Sequence, residues 1–288
     1  MSLKRIVIKI GTNVLQQTNG KLDYKLISEL TSQIARIRSN GHEVLLVSSG
    51  SVGAGRELFS VDESGNTLAS HQILASVGQA KLIQIYSDSF RKHKTTVAQI
   101  LLTRGDFGLR KSYLNIRNTL ENLLKYRIVP IVNENDVVAT EELDLNFGDN
   151  DLLAVYLATL IGSDQLFFLT VAPGLLKEEE TAQGKQSKVV AKVEKLTEEI
   201  IQHCLPFTSA GGKGGMESKV RSAGMAMSFG IDTYIIDGKF PAGVFEIMEG
   251  RPLGTHFVAH GRKIRSYQKW LAAGALNKGT LIIDQGAE

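Results

Sequence analysis

Arg5-Ile6-Val7-Ile8-Lys9-Ile10-Gly11-Thr12-Asn13 is the stretch on which the fold turns. Ile6, Val7, Ile8 and Ile10 leave no apolar/polar alternation, so this run reads as a strand buried on both faces, and Gly11 ends it. Similar β-branched runs recur at 43–47, 96–102, 128–132, 165–169 and 233–236. Helical patterns lie between them. The clearest begins after the N-cap Asp23, where Leu26, Leu30, Ile34 and Ile37 share one face until Asn40 and Gly41 stop it. Further helices are predicted at 69–93, 113–125, 150–161, 197–204 and 215–229. Buried strands alternating with helices predict an α/β fold, a three-layer α/β/α sandwich with a mainly parallel central sheet. A single domain is expected through about residue 260.

Composition removes several functional classes. The 288 residues carry 33 Lys+Arg against 30 Asp+Glu, a formal charge of +3 that advertises neither nucleic-acid nor membrane binding. The first apolar run is too short for a signal-peptide core, and no stretch of about 18 consecutive apolar residues reads as a membrane span. Cys204 is the only cysteine, so no intrachain disulfide or cysteine metal framework is expected. A cytoplasmic protein in a reducing compartment is the expectation. The polar tract at 177–192 reads as an exposed loop or hairpin. From residue 261 a basic linker, Gly261-Arg262-Lys263-Ile264-Arg265, leads to Gly279-Thr280-Leu281-Ile282-Ile283-Asp284, which looks like the first strand of a further unit. The remaining compositional signal is 28 glycines against 5 prolines.

In open α/β sheets, ligands collect beyond the carboxyl ends of the strands, where helix N-termini and glycine turns present free N–H groups. Lys9 stands near such an end; its ammonium either meets an anion or reaches solvent. The second strand runs into Ser48-Ser49-Gly50-Ser51-Val52-Gly53-Ala54-Gly55-Arg56, which fits neither the dinucleotide nor the Walker glycine pattern. Its glycines suit an anion site or a plain turn. Asn133-Glu134-Asn135-Asp136 follows the fourth strand, and Gly148-Asp149-Asn150-Asp151 opens the next helix. Singly these are turn and cap residues; together they gather carboxylates and amides that bind an amino group or position lysines. The densest signal is 209–219, where Gly211, Gly212, Gly214 and Gly215 surround Lys213 at a helix start. That is an amide-rich cradle for polyphosphate, or else a flexible glycine loop, with Lys219 one turn inside. No Ser/His/Asp order or metal-ligand spacing competes: His256 and His260 read as surface residues, Met225 and Met227 as sheet-facing, and Cys204 as core filler.

Taken in order, Lys9-Ile10-Gly11-Thr12, Ser48-Ser49-Gly50 with Gly53-Ala54-Gly55-Arg56, Asn133-Glu134-Asn135-Asp136, Gly148-Asp149-Asn150-Asp151 and Gly214-Gly215-Met216-Glu217-Ser218-Lys219 resemble the amino acid kinase family. Within it they resemble the branch that phosphorylates free glutamate. The resemblance runs from residue 4 to about residue 260. It implies transfer of the γ-phosphoryl group of ATP, with Mg²⁺ carried by the nucleotide, to the side-chain carboxylate of L-glutamate, the first step of proline biosynthesis. It gives Lys9 and Lys219 the role of catalytic cations and Asp151 the role of holding them. Ser49, Asp136 and Asn150 match the glutamate-binding positions, with Asp136 on the α-ammonium and Ser49 and Asn150 donating to carboxylate oxygens. Nucleotide contacts fall to Lys9, Thr170, Lys213, Gly214, Gly215, Met216, Glu217, Ser218 and Lys219, and no residue is assigned as a metal ligand. Implied partners are proline as feedback inhibitor, a downstream glutamyl phosphate reductase and further copies of the chain, but neither nucleic acid nor membrane.

Two features depart from the family pattern. Where the fifth strand usually continues Thr-Asp, this chain has Thr170-Val171-Ala172-Pro173-Gly174. Many bacterial members append a PUA domain, an RNA-binding-type fold; residues 261–288 resemble its entrance only, so RNA binding is not expected. The competing readings are another kinase of the family, acting on acetylglutamate, aspartate, carbamate or UMP, and a non-catalytic nucleotide or amino-acid sensor. The motifs at 133–136 and 148–151 favour free glutamate, and the lysine pair with Asp151 favours catalysis.

Overall fold

The computed structural model describes residues 3–61, 67–138, 150–181, 184–202 and 215–260. The chain runs through β1 (Arg5–Ile10), α1 (Thr12–Leu15), α2 (Tyr24–Ser39), β2 (Glu43–Ser48), α3 (Ser51–Arg56), α4 (Thr67–Arg91), β3 (Val97–Leu102), α5 (Arg104–Gly108), α6 (Arg110–Lys125) and β4 (Val129–Glu134). It continues with α7 (Asn150–Ile161), β5 (Gln165–Thr170), β6 (Leu176–Thr181), β7 (Gly184–Val189), β8 (Lys192–Val193), α8 (Glu198–Gln202), α9 (Met216–Ser228), β9 (Asp232–Asp237), α10 (Gly243–Met248) and β10 (Thr255–Phe257). One eight-stranded sheet has the order β3-β4-β2-β1-β5-β9-β10-β8. Its pairings are parallel except β9 with β10. The polar tract after Gly174 folds as the antiparallel β6–β7 hairpin.

Two hydrophobic cores lie on opposite faces of the sheet. Val7, Leu45, Val132 and Phe168 point to one, with residues of α6, α7 and α9; Ile6, Ile8, Leu46 and Phe167 point to the other, with residues of α2 and α4. Side chains alternate across a strand, so Lys9 shares the face of Val7 and is carried toward α7 and α9. β1 lies between β2 and β5, with Lys9 in register with Val47 and Phe168. The chain winds outward from β1 on one side and returns to β5 on the other, which opens a crevice above the β1 carboxyl end. Helix α7 is buried nearly all round, as expected of a segment apolar on every face.

α2 forms as the periodicity requires: Asp23 accepts from the Leu26 N–H at 3.0 Å, and Leu26, Leu30, Ile34 and Ile37 are buried. The glycine segment after β2 differs from both readings of it. It is neither a plain turn nor an open phosphate cradle, because residues 51–56 form helix α3 packed on α4. A Cβ at Gly55 would lie 2.1 Å from the Leu74 carbonyl oxygen, and one at Gly78 would lie 1.7 Å from that of Ser51. These glycines let two helix backbones touch. Within residues 48–56, Gly50 is the glycine needed for its conformation, with φ of 106° at the turn out of β2. His256 also departs from the reading of a bare surface residue: it sits on β10, half-buried, stacked on Tyr234 and 2.9 Å from Asp232 Oδ1. Met227 is buried and Met225 packs against the same core. Cys204 and residues 261–288 lie outside the described residues.

Candidate active site

Three distant parts of the chain meet above the carboxyl end of β1. Lys9 arrives from β1, Asp151 from the first turn of α7, and Lys219 from the second turn of α9. Lys9 Nζ lies 2.5 Å from Asp151 Oδ1 and Lys219 Nζ 3.1 Å from Oδ2, so one carboxylate bridges two ammonium groups. The Lys9 and Lys219 side chains are 5% and 7% exposed, and that of Asp151 is 0% exposed. Burial pushes the Asp151 carboxyl upward, but the Lys9 and Lys219 ammoniums outweigh it and hold the group below its ordinary range. Ionised Asp151 therefore fixes both lysines and is not a proton acceptor. The cluster holds two positive charges against one negative, and that surplus suits a polyanion.

Beside it lies a neutral network. Asn150 Nδ2 donates to Ser49 Oγ at 3.0 Å and to Asn133 Oδ1 at 2.8 Å. Asn133 Nδ2 donates to Gln79 Oε1 of α4 at 2.8 Å, while its Oδ1 also accepts from the Glu134 backbone N–H at 2.9 Å. Ser51 Oγ lies 3.5 Å from Asp136 Oδ2, and Gln72 Nε2 donates to the Asp136 carbonyl at 3.2 Å. The end of β2 is tied to α4 by the Ser48–Tyr86 hydroxyl pair at 2.8 Å. Burial pushes the Tyr86 hydroxyl up to about 12, so it stays protonated in that pair.

The structure thus brings Lys9, Asp151 and Lys219 together, and Ser49 with Asn150, while Asp136 contacts Ser51 and the Gln72 amide. Both N–H bonds of the Asn150 amide are engaged, one by Ser49 and one by Asn133. Thr170 ends β5, its carbonyl accepting from Gly238 N at 2.7 Å, and Val171 beyond it is 49% exposed. Gly215 is the N-cap of α9 and supplies no side-chain capping hydrogen bond. Met216 turns its side chain into the core, and Glu217 forms an exposed ion pair with Arg221 at 2.7 Å. Ser218 is half-buried on the same turn. Lys213, Gly214 and Asp149 lie outside the described residues. Asn133 and Gln79 carry no sequence role of their own. Asn133 was visible only as part of a strand-end motif, and Gln79 is one of many polar residues along the long helix α4. Among the described residues no three His, Cys, Asp or Glu side chains form a metal-sized cluster, and both Asp151 oxygens face ammonium groups.

A carboxylate clamped between two lysines at the switch point of a parallel sheet is an arrangement for handling phosphoryl groups, and comparison with known sequences gives it a family. The sequence model of the amino acid kinase family matches residues 4–237, and the chain belongs to that family. A relative from Chlorobaculum tepidum named glutamate 5-kinase is 41% identical over 285 residues, covering 99% of this chain and 77% of its own. The glutamate 5-kinase of Thermoanaerobacter sp. (strain X514) is 38% identical over 283 residues, covering 98% and 75% respectively. The structure of carbamate kinase from Giardia lamblia bound to AMP-PNP superposes with a TM-score of 0.62 at 19% identity, over 90% of this chain and 99% of that one. That likeness is one of fold.

Proposed function

We propose that this chain transfers the γ-phosphoryl group of ATP to the side-chain carboxylate of L-glutamate, giving L-glutamyl 5-phosphate and ADP at the entry to proline biosynthesis. The observation that carries the reading is Asp151 held between Lys9 and Lys219, one residue along α7 from the Asn150–Ser49 pair. The relatives named glutamate 5-kinase support it over most of both chains.

In this reaction an oxygen of the glutamate side-chain carboxylate forms a bond to the γ-phosphorus while the bond from that phosphorus to the β,γ-bridging oxygen breaks. The bridging electron pair leaves with ADP. No proton moves, because the acceptor is already ionised at neutral pH, and no general base is needed. The remaining obstacle is charge, since an anion must approach a polyanion. Lys9 and Lys219 meet it by neutralising the transferring group, and Asp151 keeps both ammoniums in place before the substrates arrive. The N–H groups at the start of α9, from Gly215 onward, suit the nucleotide phosphates, and the family resemblance assigns Lys213, Gly214, Ser218 and Thr170 to the nucleotide as well. Mg²⁺ carried by the nucleotide would supply further charge neutralisation, and Asp151, engaged by both lysines, is not assigned to hold it. Ser49, Asn150 and Asp136 hold glutamate.

We place the reaction in the cytoplasm and the protein in a homo-oligomer, with proline as a feedback ligand and a glutamyl phosphate reductase consuming the product. No helix among the described residues is long and apolar enough to cross a membrane. The deciding experiment traps the acyl phosphate with hydroxylamine across a panel of acceptors. Hydroxamate forming with glutamate, and not with acetylglutamate or aspartate, is the expected result. Turnover with acetylglutamate alone, or binding of ATP and glutamate without ADP formation, overturns the reading.

A further inference from the structure

The hydrogen-bond polarity of the amide network is anchored by a group that cannot be reversed. The backbone N–H of Glu134 donates to the Asn133 side chain at 2.9 Å, so the Asn133 atom facing it is the carbonyl oxygen, Oδ1. The other end, Nδ2, must then be the donor toward Gln79, at 2.8 Å. The same Asn133 Oδ1 faces Asn150 at 2.8 Å, so the Asn150 atom meeting it is Nδ2. The second hydrogen of that amide goes to Ser49 Oγ at 3.0 Å. Two consequences follow by exhaustion of donors and acceptors. Ser49 Oγ is occupied as an acceptor, which leaves its O–H proton for donation. Asn150 Oδ1 is turned away from the network and is buried without a hydrogen-bond partner among the described residues, in a side chain about nine-tenths buried. A buried amide oxygen left unpaired is destabilising, and a ligand donor removes that cost.

We propose that Asn133, supported by Gln79, is a positioning residue that locks Asn150 with its carbonyl oxygen outward, so that Asn150 Oδ1 selects the α-ammonium of the substrate while the Ser49 hydroxyl donates to a carboxylate. This rests on the glutamate reading above and deepens it. Asn133 touches no substrate; it decides which end of Asn150 the substrate meets. With the opposite polarity, Asn150 would offer N–H groups to an ammonium and repel it. The site then distinguishes an α-amino dicarboxylate from the same dicarboxylate lacking the amino group.

The test compares glutamate with glutarate, which has the same carbon chain and carboxylates but no ammonium, reading glutamate KM and the inhibition constant of glutarate. In Asn133→Leu, which frees Asn150 to rotate, glutamate KM rises about tenfold, as for a lost hydrogen bond to a charged group, while the glutarate constant and the ATP KM hold within about twofold. Asn133→Asp keeps an acceptor for both Glu134 N–H and Asn150 Nδ2, and the Gln79 amide can turn to donate to it, so the glutarate-to-glutamate ratio is restored to within about threefold of wild type. Gln79→Leu, at a half-buried helix position, gives the same selective loss more mildly and covers the case in which Asn133→Leu does not fold. Equal weakening of glutamate and glutarate in Asn133→Leu or Gln79→Leu, or no rescue by Asn133→Asp, overturns the proposal. Wild-type protein that neither phosphorylates nor binds glutamate overturns the functional reading and this proposal with it; wild-type turnover with non-selective variants overturns this proposal alone.

Discussion

Asn150 and Asp151 are consecutive residues in the first turn of α7, yet they serve two networks governed by different physics. Asp151 sits in a charge cluster, where attraction to Lys9 and Lys219 overcomes the burial penalty of a side chain that is 0% exposed. Asn150 sits in a chain of neutral amides and a hydroxyl, where direction rather than charge determines which atom is left unpaired. Successive residues on a helix point about 100° apart, so a single turn supplies one group to the phosphoryl side and one to the acceptor side. The difference teaches that the two halves of the site should fail differently: the charged half in the rate of chemistry, the amide half in selectivity and affinity.

The largest expected effect breaks the charged half. Lys219→Ala should lower kcat by ~10²–10³-fold with an intact circular-dichroism spectrum, the scale seen when one preorganised donor is removed from a transition state. An unchanged rate would remove Lys219 from catalysis. The supporting wall of the amide half comes next. Gly78→Ala places a methyl group where the Ser51 carbonyl lies 1.7 Å away, and overpacking of this kind costs about 1–3 kcal/mol in urea unfolding. A variant as stable as wild type would show that α3 and α4 are not in backbone contact. Ser49→Ala should raise glutamate KM about tenfold, the equivalent of a hydrogen bond to a charged group, while leaving the ATP KM near wild type. A matching rise for ATP would merge the two halves.

Asp151 also leaves a signature in pH. Its folded carboxyl lies below the ordinary range, so as pH falls the unfolded chain takes up that proton first. The stability it contributes is full above the unfolded pKa of about 3.9 and is lost as pH drops through the lower folded value. The gap in thermal midpoint between wild type and Asp151→Asn should stay constant from about pH 8 to about pH 5 and shrink below about pH 4. A gap closing near neutrality would assign the titration to another group. The smallest effect belongs to Glu217, whose exposed pair with Arg221 lies outside both networks; Glu217→Ala should change stability by less than about 0.5 kcal/mol.

The parallel sheet was legible because strands buried on both faces leave long β-branched runs, whereas the lysine ending the first run left two readings open and the roles of Lys219 and Asp151 came from the family resemblance. The short helices were not legible. α1, α3, α5 and α10 have four to six residues each, too few for periodicity to register, and in α3 Gly53 and Gly55 resemble turn glycines until α4 is placed against them. The edge strand β10, three residues long and antiparallel to β9, is likewise a product of tertiary pairing. Ser49 and Asn150 were found by motif, but the polarity of their hydrogen bond was not, because an asparagine side chain has two ends that only its neighbours distinguish. Gln79 had no local signal: its role exists only once the end of β4 lies beside α4.

The bridge through Asp151 has a consequence for how the chain comes to life. Lys219 lies 68 residues beyond the carboxylate it meets, and Lys9 lies still farther off on the other side, so the centre is made only of long-range contacts. Contacts of that kind form late, after loop-closure entropy has been overcome. Local helices such as α2 and α4 need no such closure and form early. During refolding, recovery of phosphoryl transfer therefore trails recovery of helical signal, and a chain still emerging from the ribosome stays inert toward ATP and glutamate until α9 has docked.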